Sequence, residues 1–201
     1  MKTEPKSQDR AERRREEILE VAEKIFADKG YHATGIADIA GVLGLGHGTF
    51  YRYFKNKHDI ALAVFDRLLA RVGQITLTED PTSATTIQDY RMQVARLVGR
   101  WLDLVEEHPH LIRFLHEQTV TVDPTRLGAM IEMVVEYTAR FLDNGKARGF
   151  LRESLDVRAT SELVVALILD GTRRALSDPD PSVTRRRVDA GIALMFDGIG
   201  R

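Results

Sequence analysis

The chain is expected to fold as an all-α protein of about nine helices, and three features of its 201 residues point there. Apolar residues recur at helical spacing in nearly every segment. Capping residues, Gly and Pro punctuate those segments at helix-sized intervals. No stretch shows the period-two alternation of a half-buried strand, and no internal repeat is present. Length and composition fit this class. Hydrophobic residues are 43% and charged residues 29%, as in a soluble globular protein with room for one sizeable domain or a small one fused to a larger one.

From the N-terminus, residues 1–8 read as disordered, and Asp9 with Glu12 reads as a capping box at a helix start. Ile18, Val21, Ala22, Ile25 and Phe26 form that helix's stripe, and Gly30 stands at its C-cap. Thr34 reads as the N-cap of a second helix, with Ile36, Ile39, Ala40 and Leu43 on one face, ending at Gly44-Leu45-Gly46. A short helix spans about His47 to Tyr53, and Asn56 caps the next, striped by Ile60, Ala63, Val64 and Leu68. Residues 73–84 read as a connection. A long amphipathic helix from Ile87 breaks at His108-Pro109, because the residue before Pro avoids helical backbone. A shorter helix carries Leu111, Ile112, Phe114 and Leu115. Asp123-Pro124 starts a helix that runs to Gly145 or Gly149, Asp156 opens another that Asp178-Pro179 closes, and Asp180-Pro181 starts the last. The organisation is a small N-terminal unit, residues 1–56, followed by a larger helical part, residues 57–201.

Several function classes drop out. The chain has no cysteine, which removes disulfides, thiolate metal sites and cysteine nucleophiles, and suits a cytoplasmic protein. The longest apolar run, Leu163–Leu169, is too short to cross a bilayer, so no membrane partner is expected. His108, His110 and His116 invite a metal reading, but Pro109 interrupts the first pair and no His pair stands four apart on a continuous helix. No phosphate-binding Gly loop, nucleophile elbow or zinc-protease motif occurs, so no catalytic residue, metal or cofactor is assigned and an enzyme is not expected.

One segment carries a chemistry. Residues 34–57, TGIADIAGVLGLGHGTFYRYFKNK, read as two short helices around a tight glycine turn, the layout of a helix-turn-helix whose second helix enters the DNA major groove. The second helix packs hydrogen-bonding groups from His47, Thr49, Tyr51, Arg52 and Tyr53 into a short element, with Phe50 and Phe54 as apolar anchors. Residues 47–57 carry Arg52, Lys55 and Lys57 and no acid, although the formal net charge of the whole chain is −1. Lys57, in the first turn of the next helix, is placed to join the local N–H groups on one phosphate. Tyr51 and Tyr53 can alternatively be core aromatics, and the basic residues a solvated surface.

Here the chain resembles the TetR family of bacterial transcriptional regulators. The resemblance rests on Thr34, Ile36, Asp38-Ile39-Ala40, Gly44, Gly48-Thr49-Phe50-Tyr51, Tyr53-Phe54 and Lys57, preceded by Ile18, Ala22, Phe26 and Gly30-Tyr31. It departs at Gly46, where a serine is common, and at Gly41-Val42, where polar residues are common. It implies an N-terminal three-helix DNA-binding domain and a C-terminal helical ligand-binding and dimerisation domain. His47, Thr49 and Arg52 would face base edges, Gly48 would allow close approach, and Thr34, Tyr51, Tyr53 and Lys57 would hold phosphates of a double-stranded operator. The last two helices are apolar over more than one face, and the resemblance assigns Val164, Leu167, Ile168, Gly171, Val188, Ile192, Met195 and Phe196 to a homodimer interface. It places a small-molecule effector among Trp101, Phe114, His116, Met130, Met133, Tyr137 and Phe141, residues that ordinary core packing would equally use. A helical-bundle enzyme or carrier and a protein-binding module are the competing readings.

Overall fold

The computed structural model describes residues 5–178 and 180–199, apart from the side chains of residues 5–8, 47, 119, 120, 181 and 197–199. The described residues form ten helices, two of them single turns: α1 Pro5–Lys29, α2 Ile36–Val42, α3 His47–Phe50, α4 Lys57–Thr76, α5 Ile87–Glu107, α6 Pro109–Glu117, α7 Thr119–Val122, α8 Pro124–Ala147, α9 Val157–Ser177 and α10 Pro181–Ile199. The all-α class is as the periodicity predicts.

Several boundaries follow from local chemistry. Asn56 Oδ1 accepts the Asp59 N–H at 2.9 Å, and Asp156 Oδ1 accepts the Ala159 N–H at 3.0 Å, so both side-chain caps stand where they were read. Thr86 caps α5 in the same way, and the Asp89 carboxylate returns a bond to the Thr86 N–H. At the end of α8, Gly149 takes φ +74°, and the Phe150 N–H reaches back to the Gly145 carbonyl at 2.8 Å. That closure satisfies carbonyls the helix would leave orphaned and selects Gly149 over Gly145 as the stop.

Three expectations are corrected here. The helical backbone of α1 begins at Pro5, so Asp9 and Glu12 lie inside the helix and residues 5–8 are not disordered; residues 1–4 lie outside the described residues. The N-cap of α2 is Gly35, because Thr34 turns inward. α4 continues to Thr76, which shortens the following connection. The end of α9 agrees with the sequence reading, with Asp178 as its C-cap, and Pro179 of the same stop lies outside the described residues.

The chain divides into two compact units, and not at a single cut between residues 56 and 57. The first takes the chain up to Leu69 together with His110–Pro124, and the second takes Ala70–Pro109 and the chain from Thr125 onward. In the first unit, Ile18, Leu19 and Phe26 of α1, Ile39 of α2, Phe50 of α3, and Ile60 and Leu68 of α4 are fully buried. Leu111, Ile112 and Phe114 of α6 are fully buried as well, and the Phe114 ring lies 5.8 Å from that of Phe26. Burying a side chain of this size contributes about 1.5–3 kcal/mol, so α6 is a substantial part of this core. Arg67 of α4 also meets Glu23 of α1 at 3.1 Å, both largely shielded from solvent.

The second unit is organised around Tyr90 of α5. Its ring lies 6.5 Å from Phe141, 6.0 Å from Phe150 and 5.8 Å from Phe196, with Leu142, Leu151 and Leu155 closing the cluster. Gly145 makes this approach possible: a Cβ there would stand 2.7 Å from Leu151 Cδ1 and 3.2 Å from Tyr90 Cζ. The segment after α4 is pinned by the Glu79 carboxylate, which accepts from Arg96 at 2.6 and 2.8 Å and from Arg100 at 3.0 Å. The Arg96 hydrogen bond is the main reason the Glu79 carboxyl sits below its ordinary range. The Tyr137 hydroxyl donates to the Glu79 carbonyl, and burial, with the Glu79 charge adding to it, pushes its pKa up to about 12.

Candidate nucleic-acid interface

The turn between α2 and α3 is set by one glycine. Gly44 takes φ +61°, which a residue with a Cβ adopts at a cost. The Leu45 N–H then donates back to the Ala40 carbonyl at 2.9 Å and the Gly44 N–H to Gly41 at 3.2 Å, the doubly bonded closure that ends a helix cleanly. α3 follows as one α-turn rather than two. Thr49 and Phe50 donate to the Gly46 carbonyl, after which Arg52 donates to Thr49 and Tyr53 to Phe50 in tighter three-residue steps.

This short element sorts its side chains by face. Phe50 is fully buried and Phe54 nearly so, as their role as anchors requires. Tyr51 is half exposed with its ring edge-on to Phe50 at 6.2 Å, Arg52 and Gly48 are exposed, and Thr49 and Tyr53 are partly exposed. A Cβ on Gly48 would meet nothing within 4 Å, so the backbone there is open to close approach from outside. The His47 side chain lies outside the described residues. A basic, hydrogen-bonding surface therefore rests on two buried rings.

Two residues expected on phosphates are engaged elsewhere. Thr34 is 2% exposed, and its hydroxyl donates to the Gly30 carbonyl at 2.7 Å. It stitches the turn after α1 and presents no hydroxyl to a ligand. The Lys57 ammonium donates to the carbonyls of Tyr31 at 2.7 Å and His32 at 3.2 Å, and lies 4.5 Å from the centre of the Tyr31 ring. Asp38 is likewise occupied: its carboxylate accepts from the Gly35 N–H at 2.7 Å and from Lys29 at 3.1 Å, and these bonds lower its pKa in that order.

One basic residue at this surface was not singled out from the sequence. The Arg15 guanidinium of α1 covers the Phe54 ring at 5.0 Å and is exposed on its outer side. No motif marks it, because the contact joins residues far apart in the chain.

The residues assigned to an effector fall in both units. Phe114 and His116 belong to the first unit, and Trp101, Met130, Met133, Tyr137 and Phe141 to the second. Met130 and Phe141 are buried, Tyr137 packs 5.2 Å from Phe141, Trp101 Nε1 donates to Thr172 at 2.8 Å, and Met133 is 37% exposed. Met130, Phe141 and Tyr137 pack as core residues. Among the interface candidates, Phe196 is a core residue, 5% exposed against Tyr90. Leu167 is 63% exposed, with Leu163 at 65% beside it and Leu194 at 67% on α10. Val164, Ile168, Gly171, Val188, Ile192 and Met195 are partly exposed, and Cβ positions built on Gly171 and Gly191 face open space. Among the described residues no cluster of three acids or histidines could hold a metal ion, and no helix is long and apolar enough to cross a membrane.

Residues 18–64 match the family model described as bacterial regulatory proteins, tetR family. The chain is 33% identical over 203 residues to the HTH-type transcriptional regulator TtgR of Pseudomonas putida, covering 94% of this chain and 95% of that one. It is 24% identical over 190 residues to the HTH-type transcriptional activator FasR of Mycolicibacterium smegmatis, covering 92% of this chain and 83% of that one. Its fold is that of the fatty acid degradation regulator FadR from Bacillus halodurans, at a TM-score of 0.75 and 19% identity, with 98% of this chain and 97% of that chain aligned.

Proposed function

Since the chain belongs to the TetR family of ligand-responsive, DNA-binding transcriptional regulators, we propose that it is a repressor whose dimer binds a palindromic operator and is released by a small, largely apolar effector. The observation that carries the DNA half of this reading is the exposed Thr49–Tyr53 surface, held on Phe50 and Phe54 and started by the Gly44 turn. In it Arg52, Thr49 and His47 read base edges beside the bare Gly48 backbone, while Tyr51, Tyr53 and Lys57 engage phosphates, with Arg15 as an added cation. Phosphate contacts set register and base-edge contacts set sequence. Lys57 reaches a phosphate from the position it already holds or by giving up one of its two carbonyls.

The exposed leucines of α9 and α10 support the dimer. One short recognition element reads few base pairs, and a two-fold pair spaced one DNA turn apart reads a palindrome. The effector is proposed in the second unit, where α5 and α8 supply aromatic and methionine side chains around few polar groups. To move the population from almost wholly bound to almost wholly released, it must prefer the released state by about 5.5 kcal/mol. A regulator of this kind acts where the DNA is, in the cytoplasm.

The test is footprinting of the full chain on DNA upstream of its own coding sequence, against a random duplex of equal length. The expected result is protection of two related half-sites about one helical turn apart. Equal affinity for both duplexes at low salt would overturn the reading. A reporter carrying the protected site gives the sign of control. Silencing is expected, and activation would place this chain beside FasR in mode of action. Effector candidates are found by thermal shift, since a ligand bound only to the folded state raises Tm.

A further inference from the structure

The turn between α1 and α2 is gripped from two sides at a single residue. The Tyr31 N–H donates to Gln118 Oε1 at 2.8 Å, and the Tyr31 carbonyl accepts from the Lys57 ammonium at 2.7 Å. Gly30, at φ +85°, aims that N–H, and a Cβ on it would lie 3.7–3.8 Å from the Gln118 amide. The Tyr31 ring packs 5.7 Å from Phe26, so the peptide cannot slide without disturbing the core beneath it. Gln118 is itself fixed. Its N–H donates to the Phe114 carbonyl at the end of α6, and its own carbonyl accepts from Thr121 and Val122, the first turn of α7. Gln118 is thus the hinge pin between α6 and α7, and both ends of this two-helix segment run on into the second unit.

Resting on the DNA-binding reading above, we propose that Gln118 is a positioning residue for DNA binding. Acting through the Tyr31 backbone, it sets where the Lys57 ammonium and the start of α4 stand, so the α6–α7 junction governs the affinity of the DNA-reading surface without touching DNA. The chemistry suits the task. An uncharged amide oxygen accepts the Tyr31 N–H and leaves the Tyr31 carbonyl to Lys57. The two bonds hold Tyr31 on either side of its Cα, so loss of the first frees the residue to turn and moves the carbonyl that the second needs. A displaced junction would withdraw the acceptor, and Lys57 would lose the frame that aims it.

The experiment compares the full-length wild type with Gln118→Met, which keeps the length of the side chain and removes the acceptor, and Gln118→Glu, which keeps an acceptor. Affinity is measured on the upstream duplex and on a random duplex of equal length, with Tm as the folding control. Gln118→Met is expected to bind the upstream duplex about tenfold more weakly, the order of effect of one lost hydrogen bond in a partly buried site. Gln118→Glu is expected to restore binding to within about threefold. Gln118→Met added to Lys57→Met should cost little beyond Lys57→Met alone, because coupled residues are not additive. Wild-type affinity in Gln118→Met, no rescue by Gln118→Glu, or full additivity with Lys57→Met would each overturn the proposal. If the wild type binds neither duplex, the DNA reading fails instead, and amide hydrogen exchange at Tyr31 decides the relay. Faster exchange in Gln118→Met but not in Gln118→Glu supports it, and unchanged protection in Gln118→Met overturns it.

Discussion

The two units finish their surfaces differently. In the first, the largest apolar side chains of α1, α4 and α6 are consumed inside, and apart from Val42 at the end of α2 what reaches the surface near α3 is polar or basic. In the second, the core around Tyr90 is equally closed, yet Leu163, Leu167 and Leu194 stand about two-thirds exposed on α9 and α10. A unit that faces a charged polymer can be complete in water. Exposed leucines on consecutive turns of one helix belong to a surface that another apolar surface covers. The contrast fits the partners proposed above, nucleic acid on one unit and a second copy of the chain on the other.

Four substitutions break or sharpen that contrast, from the largest effect to the smallest. Phe26→Ala removes the ring shared by Phe114 and Tyr31 and should cost the first unit about 3–5 kcal/mol in chemical denaturation. Leu167→Asp should leave the helical circular dichroism of the monomer intact, turn the dimer to monomer in sedimentation, and weaken operator binding about 100-fold through loss of bivalency. Unchanged sedimentation would remove α9 from the interface. Arg52→Ala should leave Tm unaltered, lower operator affinity by about 1–3 kcal/mol and relax base preference at one position in each half-site. The fourth concerns pH. The folded pKa of Glu79 lies below its unfolded value, so its contribution is full above about pH 4.5 and is lost as pH falls through the folded value. Glu79→Gln should remove about 1 kcal/mol or less at neutral pH and flatten the acid limb of the stability profile.

What could be read from the amino acids alone was decided within four residues, though not everything so decided could be read. Asn56, Asp156 and Gly149 stop or start helices through bonds to near neighbours, and their chemistry is written in the local string. The anchoring of Phe50 and Phe54 followed from their spacing beside polar residues. Thr34 was misassigned because two local bonds competed for one hydroxyl, and the carbonyl of Gly30 won over the N-terminus of α2. In place of a second turn of α3, Arg52 and Tyr53 donate three residues back instead of four. Non-local pairings were illegible. Arg15 on Phe54, Gln118 on Tyr31, and Phe196 on Tyr90 join positions 39, 87 and 106 residues apart, and no periodicity encodes them. The division of the chain was missed for the same reason, since a core that recruits α6 cannot be seen as a single cut along the string.

That recruitment bears on how such a chain could be recombined. A headpiece completed by its own consecutive residues can be exchanged like a cassette, with one crossover point and one new junction. Here Leu111, Ile112, Phe114 and Leu115 return from forty residues downstream of Leu69 to fill the same core. Swapping the first seventy residues between two such proteins would pair one parent's α1 and α4 with the other's α6, and the hybrid inherits a core designed by neither. A viable chimera needs two exchanges, the headpiece and the α6–α7 insert, so with the proposed reading role of α3 new binding specificity on this scaffold is easier to reach by substitutions there than by shuffling domains.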